Sequence, residues 1–416
     1  MNVTCHAVRR VIRRPSVWGL FVVATWLTAC GSKSQGEHQR SRAILGAPDG
    51  SGAVAVESLL AVVRVDANTA DLAPVSWLLP ATGGGAYAAQ VADGAVLHIS
   101  SAGQIVRRIG RTGAGPGEFQ FIARGGLTGD SLWVWDHTLR RMTTFGNGLD
   151  SNVVSMANLS VLLDPTQPRF GAAADGAVIP VARYSDGEMG VLISTSLDDD
   201  GVADRPGMTL LRVDSVGRVL RILMESPREA PESYVDVPNA TSVPSSRLRV
   251  PLFPLPMIYS SPSGTWFATV TTDSLSGITP VATVNLVNSR GDTVFQRTMR
   301  FHGQVIDEAT RQRALQFAER RLRRRAPDPG SILPQVRDAL PHVHPPIGDV
   351  VISDNGWIYL KLWTPDGNTW LELNSEGQVT RLLVLPPRVH LKAIGQRQMW
   401  GLEVDENDLA SVIGLQ

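Results

Sequence analysis

The chain has 416 residues, 39 basic and 39 acidic side chains, 43% hydrophobic residues and two cysteines, Cys5 and Cys30. No cysteine follows Cys30, so the rest of the chain forms no disulfide and is held by an apolar core, for which its length is ample. The balanced charge excludes the basic face that nucleic-acid binding needs. Leaving out the four arginines that precede Cys30, 35 basic side chains stand against 39 acidic ones.

At the N-terminus, Arg9, Arg10, Arg13 and Arg14 form a basic region, and no acidic residue occurs before Cys30. An uncharged run follows from Val17 to Ala29. It is shorter than the roughly 20 apolar residues of a membrane-spanning helix and matches the apolar region of an export signal, about 7 to 15 residues long. The run ends Leu27-Thr28-Ala29-Cys30. This resembles the lipobox of bacterial lipoproteins, which implies a diacylglycerol on the Cys30 thiol and cleavage just before it. Residues 1–29 are therefore expected to be a signal peptide and residues 30–52, polar from Gly31 to Gly36, a flexible tether. Two acyl chains on Cys30 suffice for stable anchoring, where one gives only marginal binding. The expected location is the bacterial cell envelope, at the outer membrane or the periplasmic face, with the membrane reached through that lipid. Neither arginine pair is followed by the full twin-arginine pattern, which favours the general secretory route.

Beyond the tether, glycine and proline are abundant and strong helical periodicity occurs once, a pattern of an all-β chain. A polar turn before an apolar run recurs at Asp93-Gly94, Asp130-Ser131, Asp175-Gly176, Ser263-Gly264 and Asn355-Gly356. A second unit follows most of them: Gly103-Gln104, Gly217-Arg218, Gly291-Asp292 and Gly377-Gln378, where glycine suits a tight hairpin. Two hairpins per repeat make a four-stranded sheet, and such sheets around an axis make a β-propeller with blades of about 40 to 45 residues. Five blades are read directly. A sixth is assembled from strands near residues 391–394, 399–404 and 409–415 joined by the run 53–65, with Asp405-Glu406-Asn407-Asp408 as a hairpin turn. The expectation is an all-β, six-bladed β-propeller over residues 53–416 with an inserted helical segment.

One segment carries a resemblance at this point. Arg107-Arg108-Ile109-Gly110 followed by Gly113-Ala114-Gly115-Pro116-Gly117-Glu118-Phe119 resembles the inter-blade junction of NHL and TolB-like six-bladed propellers. There a glycine-rich loop carries the chain between blades, and Phe119 would plug the gap. The resemblance implies a fold and no activity. Two stretches break the blade rhythm: the proline-rich residues near 225–260, which read as a loop, and residues near 303–346, which begin with the helix that buries Leu315, Ala318 and Leu322 and ends before Pro327. Caps on one side would wall a binding site.

Candidate chemistry is sparse. His342 and His344 could share a strand face and hold a metal, but no third ligand is apparent. Asp198, Asp200 and Gly201 have part of the spacing of a calcium loop without its terminal glutamate, Gly207 standing at that position. Arg320, Arg321, Arg323, Arg324 and Arg325 suit a helix C-terminus and a solvated face, or contact with anionic lipid. Trp133, Trp135, Trp357, Tyr359, Trp363 and Trp370 read as core, and the adjacent Asp136 and His137 point to opposite faces of a strand. No G-x-S-x-G elbow occurs. No catalytic residue, metal ligand or cofactor is assigned; Cys30, for lipidation, is the one site residue. The sequence points to an anchored, non-catalytic binding or scaffolding module for a protein, peptide or glycan. Two alternatives stand beside it: a calcium-dependent hydrolase of the lactonase type, which in related propellers uses the central channel, and an envelope sensor or signalling subunit acting through the basic helix. Replacing Cys30 with serine is expected to keep radiolabelled fatty acid off the chain and release it from membranes; a labelled, membrane-bound variant would overturn the assignment.

Overall fold

The computed structural model describes residues 43–46, 53–68, 72, 74–146, 152–155, 159, 178–195, 207–227, 231–237, 246–254, 257–273, 275, 277–323, 328–364, 367–406 and 409–416. Residues 1–29, expected to be an export signal, together with Cys30 and the residues from Asp198 to Gly201, lie outside them.

Six antiparallel sheets follow one another along the chain. Blade 1 comprises Val75–Pro80, Ala86–Gln90, Ala95–Ile99 and Ile105–Ile109. Blade 2 comprises Ile122–Thr128, Ser131–Asp136, Arg141–Phe145 and Asn152–Ser155. Blade 3 runs Val178–Arg183, Met189–Thr195, Gly207–Val213 and Val219–Glu225. Blade 4 runs Ile258–Ser260, Trp266–Asp273, Val281–Asn288 and Thr293–Arg300. Blade 5 is built from Ile347–Ile352, Ile358–Leu362, Thr369–Leu373 and Val379–Val384. Blade 6 takes Val389–Ile394, Met399–Val404 and Ala410–Leu415 from the C-terminal end and its outermost strand, Ala61–Val65, from the N-terminal side. The first strand of each blade lies against the axis. The molecule is a six-bladed β-propeller, closed by pairing its two ends.

The core sits between blades rather than at the axis. Separate apolar clusters join blades 1 and 2, 2 and 3, 3 and 4, 4 and 5, 5 and 6, and 6 and 1. Trp133, Trp370 and Trp400 are fully buried in these seams, as expected for the first two. Each seam forms because a strand buries one face against each neighbouring blade, so apolar residues on both faces are used.

A small device repeats at the seams. In the turn between a blade's third and fourth strands, Ser100, Asp214, Asn288 and Asn374 each accept backbone amides through their side-chain oxygens. The glycine three residues on closes the turn with a φ of 78° to 87°. At Gly103 and Gly377 the bare α-carbon also receives a side chain from the preceding blade. A methyl group would lie 2.5 Å from Val63 at Gly103 and 2.7 Å from Phe295 at Gly377. Arg297 and Arg221, on outermost strands, donate to carbonyls of the next blade's turn, at Gly377 and Arg290.

The structure alters four expectations. The turn-then-strand unit is not in one phase: it precedes the second strand in blades 2, 4 and 5 but the third in blade 1, because strand ladders of similar alternation look alike in sequence. The run 53–65 serves two blades. Ala53–Ser58 pairs in parallel with Val379–Val384 of blade 5, and only Ala61–Val65 closes blade 6. Ala43–Gly46, expected within the tether, pairs with Ala53–Ser58. Finally, the second insertion contains two helices, α1 (Glu308–Leu322) and α2 (Pro329–Ala339), the latter obscured by Pro334 inside it.

Both insertions leave an outermost strand and return to an innermost one, after blades 3 and 4, so they rise from the same face. They pack together. The hairpin of Tyr234–Val237 with Ser246–Arg249, in the segment read as loop, places Val235, Val237 and Leu248 against Ala314, Leu315, Ala318 and Leu322 of α1 and Ile332 and Val336 of α2.

Gly377→Ala is expected to destabilise the protein by about 2–3 kcal/mol, combining backbone strain with displacement of Phe295. Gly187→Ala has the same backbone problem but open space, and is expected to lose about 1 kcal/mol. Urea denaturation compares them, and equal losses would show that the glycines serve the turn alone.

Candidate functional site

The axis is shaped by irregular strands. In blades 1, 2, 3, 5 and 6 the innermost strand shifts register against its partner, after Val75, Ile122, Pro180, Ile347 and Leu391 respectively. Bulges of this kind re-aim side chains. In blade 2 the adjacent Gly125 and Gly126 admit close neighbours: a methyl group would lie 2.5 Å from Trp77 at Gly125 and 2.9 Å from the Pro262 carbonyl at Gly126. The Leu127 amide donates to Pro262 O at 2.8 Å, and Arg124 donates to Ser260 Oγ at 3.1 Å. Blades 2 and 4 thus meet and narrow the axis.

On the face formed by the turns between first and second strands, blades 1, 2, 5 and 6 enclose a pocket of about 390 Å³. Thr82, Asp130, Ser353, Asp354, Asn355 and Gln396 supply its polar side chains. A furrow of about 520 Å³ between blades 5 and 6 shares Asn355, Ile394, Gly395 and Gln396 with it and extends to Arg381. Neighbouring blades pin the rim. Trp266 Nε1 donates to Asp354 O at 3.0 Å, the Ser263 amide to Asp354 Oδ1 at 2.9 Å, and Trp400 Nε1 to Gly84 O at 3.3 Å. In the furrow, Arg381 holds Glu57 of the added strand and the buried Glu372, the latter at 2.8 Å, so the N-terminal run is part of the wall. Such a rim, of turns, amides and two carboxylates, suits a ligand rich in hydroxyl or amide groups.

Away from the turn face the described residues are mostly basic. Arg124, Lys361, Lys392 and His390 accompany, among the described residues, one carboxylate, Asp349, whose Oδ2 accepts from Lys392 Nζ at 3.1 Å. Burial draws the Arg124 guanidinium and, with smaller effects of Asp349 and Lys392, the Lys361 amine below their usual values. Burial, with a smaller effect of Asp349, pushes the Tyr259 phenol up to about 12. Calcium, a hard cation, takes six to eight oxygen ligands. One carboxylate among cationic side chains does not fit it.

The other residues singled out in the sequence have separate fates. His342 is exposed while His344 is buried and stacked on Trp363, ring centroids 4.0 Å apart, so the two imidazoles do not converge. Asp136 is buried and accepts the amides of Gln120, Phe121 and Leu139 at 2.6, 3.3 and 2.8 Å, fixing the glycine-rich junction, whereas His137 is exposed. Phe119 plugs that junction as the resemblance implied, and Arg141 binds its Ala114, Gly115 and Glu118 carbonyls. Trp135 and Tyr359 are core; Trp357 is half-buried and Trp363 is 47% exposed. Arg320 and Arg323 are exposed, Arg321 lies over Phe317, and Arg324 and Arg325 lie outside the described residues. Lys361, His390 and Lys392 were missed. Their signal was available: His390 and Lys392 alternate with Leu391 and Ala393 in an otherwise apolar strand.

No family model matches the chain, and no curated protein does. Among solved structures it is similar to a Bacteroides fragilis protein named as exported, at 12% identity and TM-score 0.42, covering 86% of this chain and 95% of that one. A member of the duf4221 family from Bacteroides vulgatus gives 8% identity, TM-score 0.43 and coverage of 86% and 97%. Virginiamycin B lyase from Staphylococcus aureus gives 10% identity, TM-score 0.40 and coverage of 86% and 98%.

Burial holds His98, His344 and His390 below the ordinary imidazole value, helped by Arg107 at His98 and by Lys361 and Lys392 at His390. Each takes up a proton more readily unfolded than folded, so stability present above about pH 6.5 is lost as pH falls. The urea midpoint is expected to drop between about pH 7 and pH 5.5. His344→Phe, which keeps a ring against Trp363, should remove part of that drop; an unchanged slope would count against a neutral His344.

Proposed function

We propose that the chain is an envelope lipoprotein, held to a bacterial membrane by lipid on Cys30, whose propeller binds a partner without catalysing a reaction on it. The pinned pocket on the turn face carries this reading. Four blades contribute to it, its rim is held by hydrogen bonds from neighbouring blades, and its polar groups are amides, hydroxyls and the carboxylates of Asp130 and Asp354. A rigid rim loses little freedom on binding, which favours recognition of a flexible peptide or glycan. The lipobox supports the location, and the polar residues after Cys30 supply reach from the bilayer.

The test is an array of short peptides and soluble glycans probed with the full-length protein. Ligands found there are titrated against Asp130→Ala and Gln396→Ala, both of which leave the seams between blades untouched. Each variant is expected to bind about tenfold more weakly, the loss of one hydrogen bond to a charged or amide group. Ligands that bind both variants as tightly as the parent would place recognition elsewhere on the propeller.

A further inference from the structure

The basic residues away from the turn face are not used by the pocket there. Lys361 stands in the second strand of blade 5, directly across the ladder from Asp349. Its Nζ lies 3.1 Å from His390 Nδ1 on blade 6. Two strand positions on, Lys392 reaches Asp349 Oδ2 at 3.1 Å, and Asp349 Oδ1 accepts its own strand's Val350 amide at 2.9 Å. The one carboxylate is thereby engaged on both oxygens. Among the described residues Lys361 has no acidic ion-pair partner, only the imidazole.

A structural ion pair would be fully buried and balanced; this cluster is half-buried and unbalanced. The side chains of Lys392 and Asp349 remain 35% and 33% exposed, and a side chain placed at Gly348, next to Asp349, would meet open space. The register shifts after Ile347 and Leu391 fall at Gly348 and Lys392, so the ladders of both innermost strands are irregular at the cluster. Two ammonium groups and one imidazole face one carboxylate. With the imidazole protonated the surplus is two positive charges.

We infer that Lys361, Lys392 and His390 form a binding site for a doubly charged oxyanion group, of the class carried by phosphate monoesters and by the free sulfate ion. Lysine ammonium groups are compact charges with three donors each, suited to such a group, and the ring completes the contact once protonated. The site goes beyond the turn-face pocket and lies away from that face.

The same groups set a pH dependence. Facing His390 are Lys361 and Asp349 of blade 5 and Lys392 on its own strand; Tyr259 of blade 4, facing Asp349, stays neutral, and Ser76 and Trp77 of blade 1 carry no charge. In the free protein burial and the two lysines keep the imidazole below its ordinary value. A bound dianion reverses that balance, so binding takes up a proton and tightens as pH falls.

Calorimetric titration of the full-length protein with sodium sulfate, a dianion throughout, at about pH 8 and about pH 5.5 and fixed ionic strength, tests this. Sulfate is expected to bind about tenfold more tightly at the lower pH. Lys361→Met should weaken binding about tenfold at both, and His390→Gln should bind with no pH dependence. Absence of sulfate binding by the parent at either pH overturns the inference. So does binding that both variants retain unchanged; should Lys361→Met not fold, His390→Gln decides through its pH slope. Inorganic phosphate titrated at about pH 8, where it too is doubly charged, separates the sources: tighter phosphate assigns a phosphate or phosphomonoester ligand, tighter sulfate the free sulfate ion.

Discussion

Two reciprocal hydrogen bonds between the backbones of Leu60 and Gln416, 2.8 and 3.1 Å long, begin the ladder that shuts the ring. In the other blades the four strands follow one another in sequence; this ladder joins Ala61–Val65 to the C-terminal strands of blade 6. The cluster behind it combines Val65 with Trp400, Leu402 and Val412 of blade 6 and with Leu78, Ala86 and Leu97 of blade 1. Without Ala61–Val65 that cluster loses a wall and Ala410–Leu415 becomes an open edge, the feature a closed ring exists to remove. The pocket depends on the same closure, since blades 6 and 1 supply part of its rim.

Within the closed ring, charge is sorted along the axis. Glycines at 125 and 126 let blade 2 approach Trp77 and Pro262, narrowing the channel between a mouth of amides and carboxylates and the basic residues beyond it. The sorting follows from position. Turn-face groups sit on solvated loops, whereas Lys361 and His390 project from half-buried strands, where burial works against charge and one carboxylate offsets only part of it.

The ring was legible in the sequence because its turns are. Ser100, Asp214, Asn288 and Asn374, each followed three residues later by glycine, announce a hairpin by local chemistry alone. The Phe119 plug was legible for the same reason. What escaped depends on partners distant in sequence. Nothing in Ala53–Ser58 says that it adds to blade 5 in parallel while the next strand closes blade 6. Pro334 hid α2, whose stability comes from Ile332 and Val336 packing on the inserted hairpin rather than from propensity. His390 and Lys361 lie 29 residues apart, and only the packing of blade 6 against blade 5 brings them together.

The two strands added to blade 5 bear on how the protein would carry mechanical load. A pull along the chain from the N-terminal side reaches Ala43–Gly46 first, then Ala53–Ser58, and only then the closing strand Ala61–Val65. Ala53–Ser58 is fastened to blade 5 by its parallel ladder and by the grip of Arg381 on Glu57. Tension is thus taken up by a blade complete in itself. The clasp that holds the ring shut stays slack until both outer strands have been stripped away.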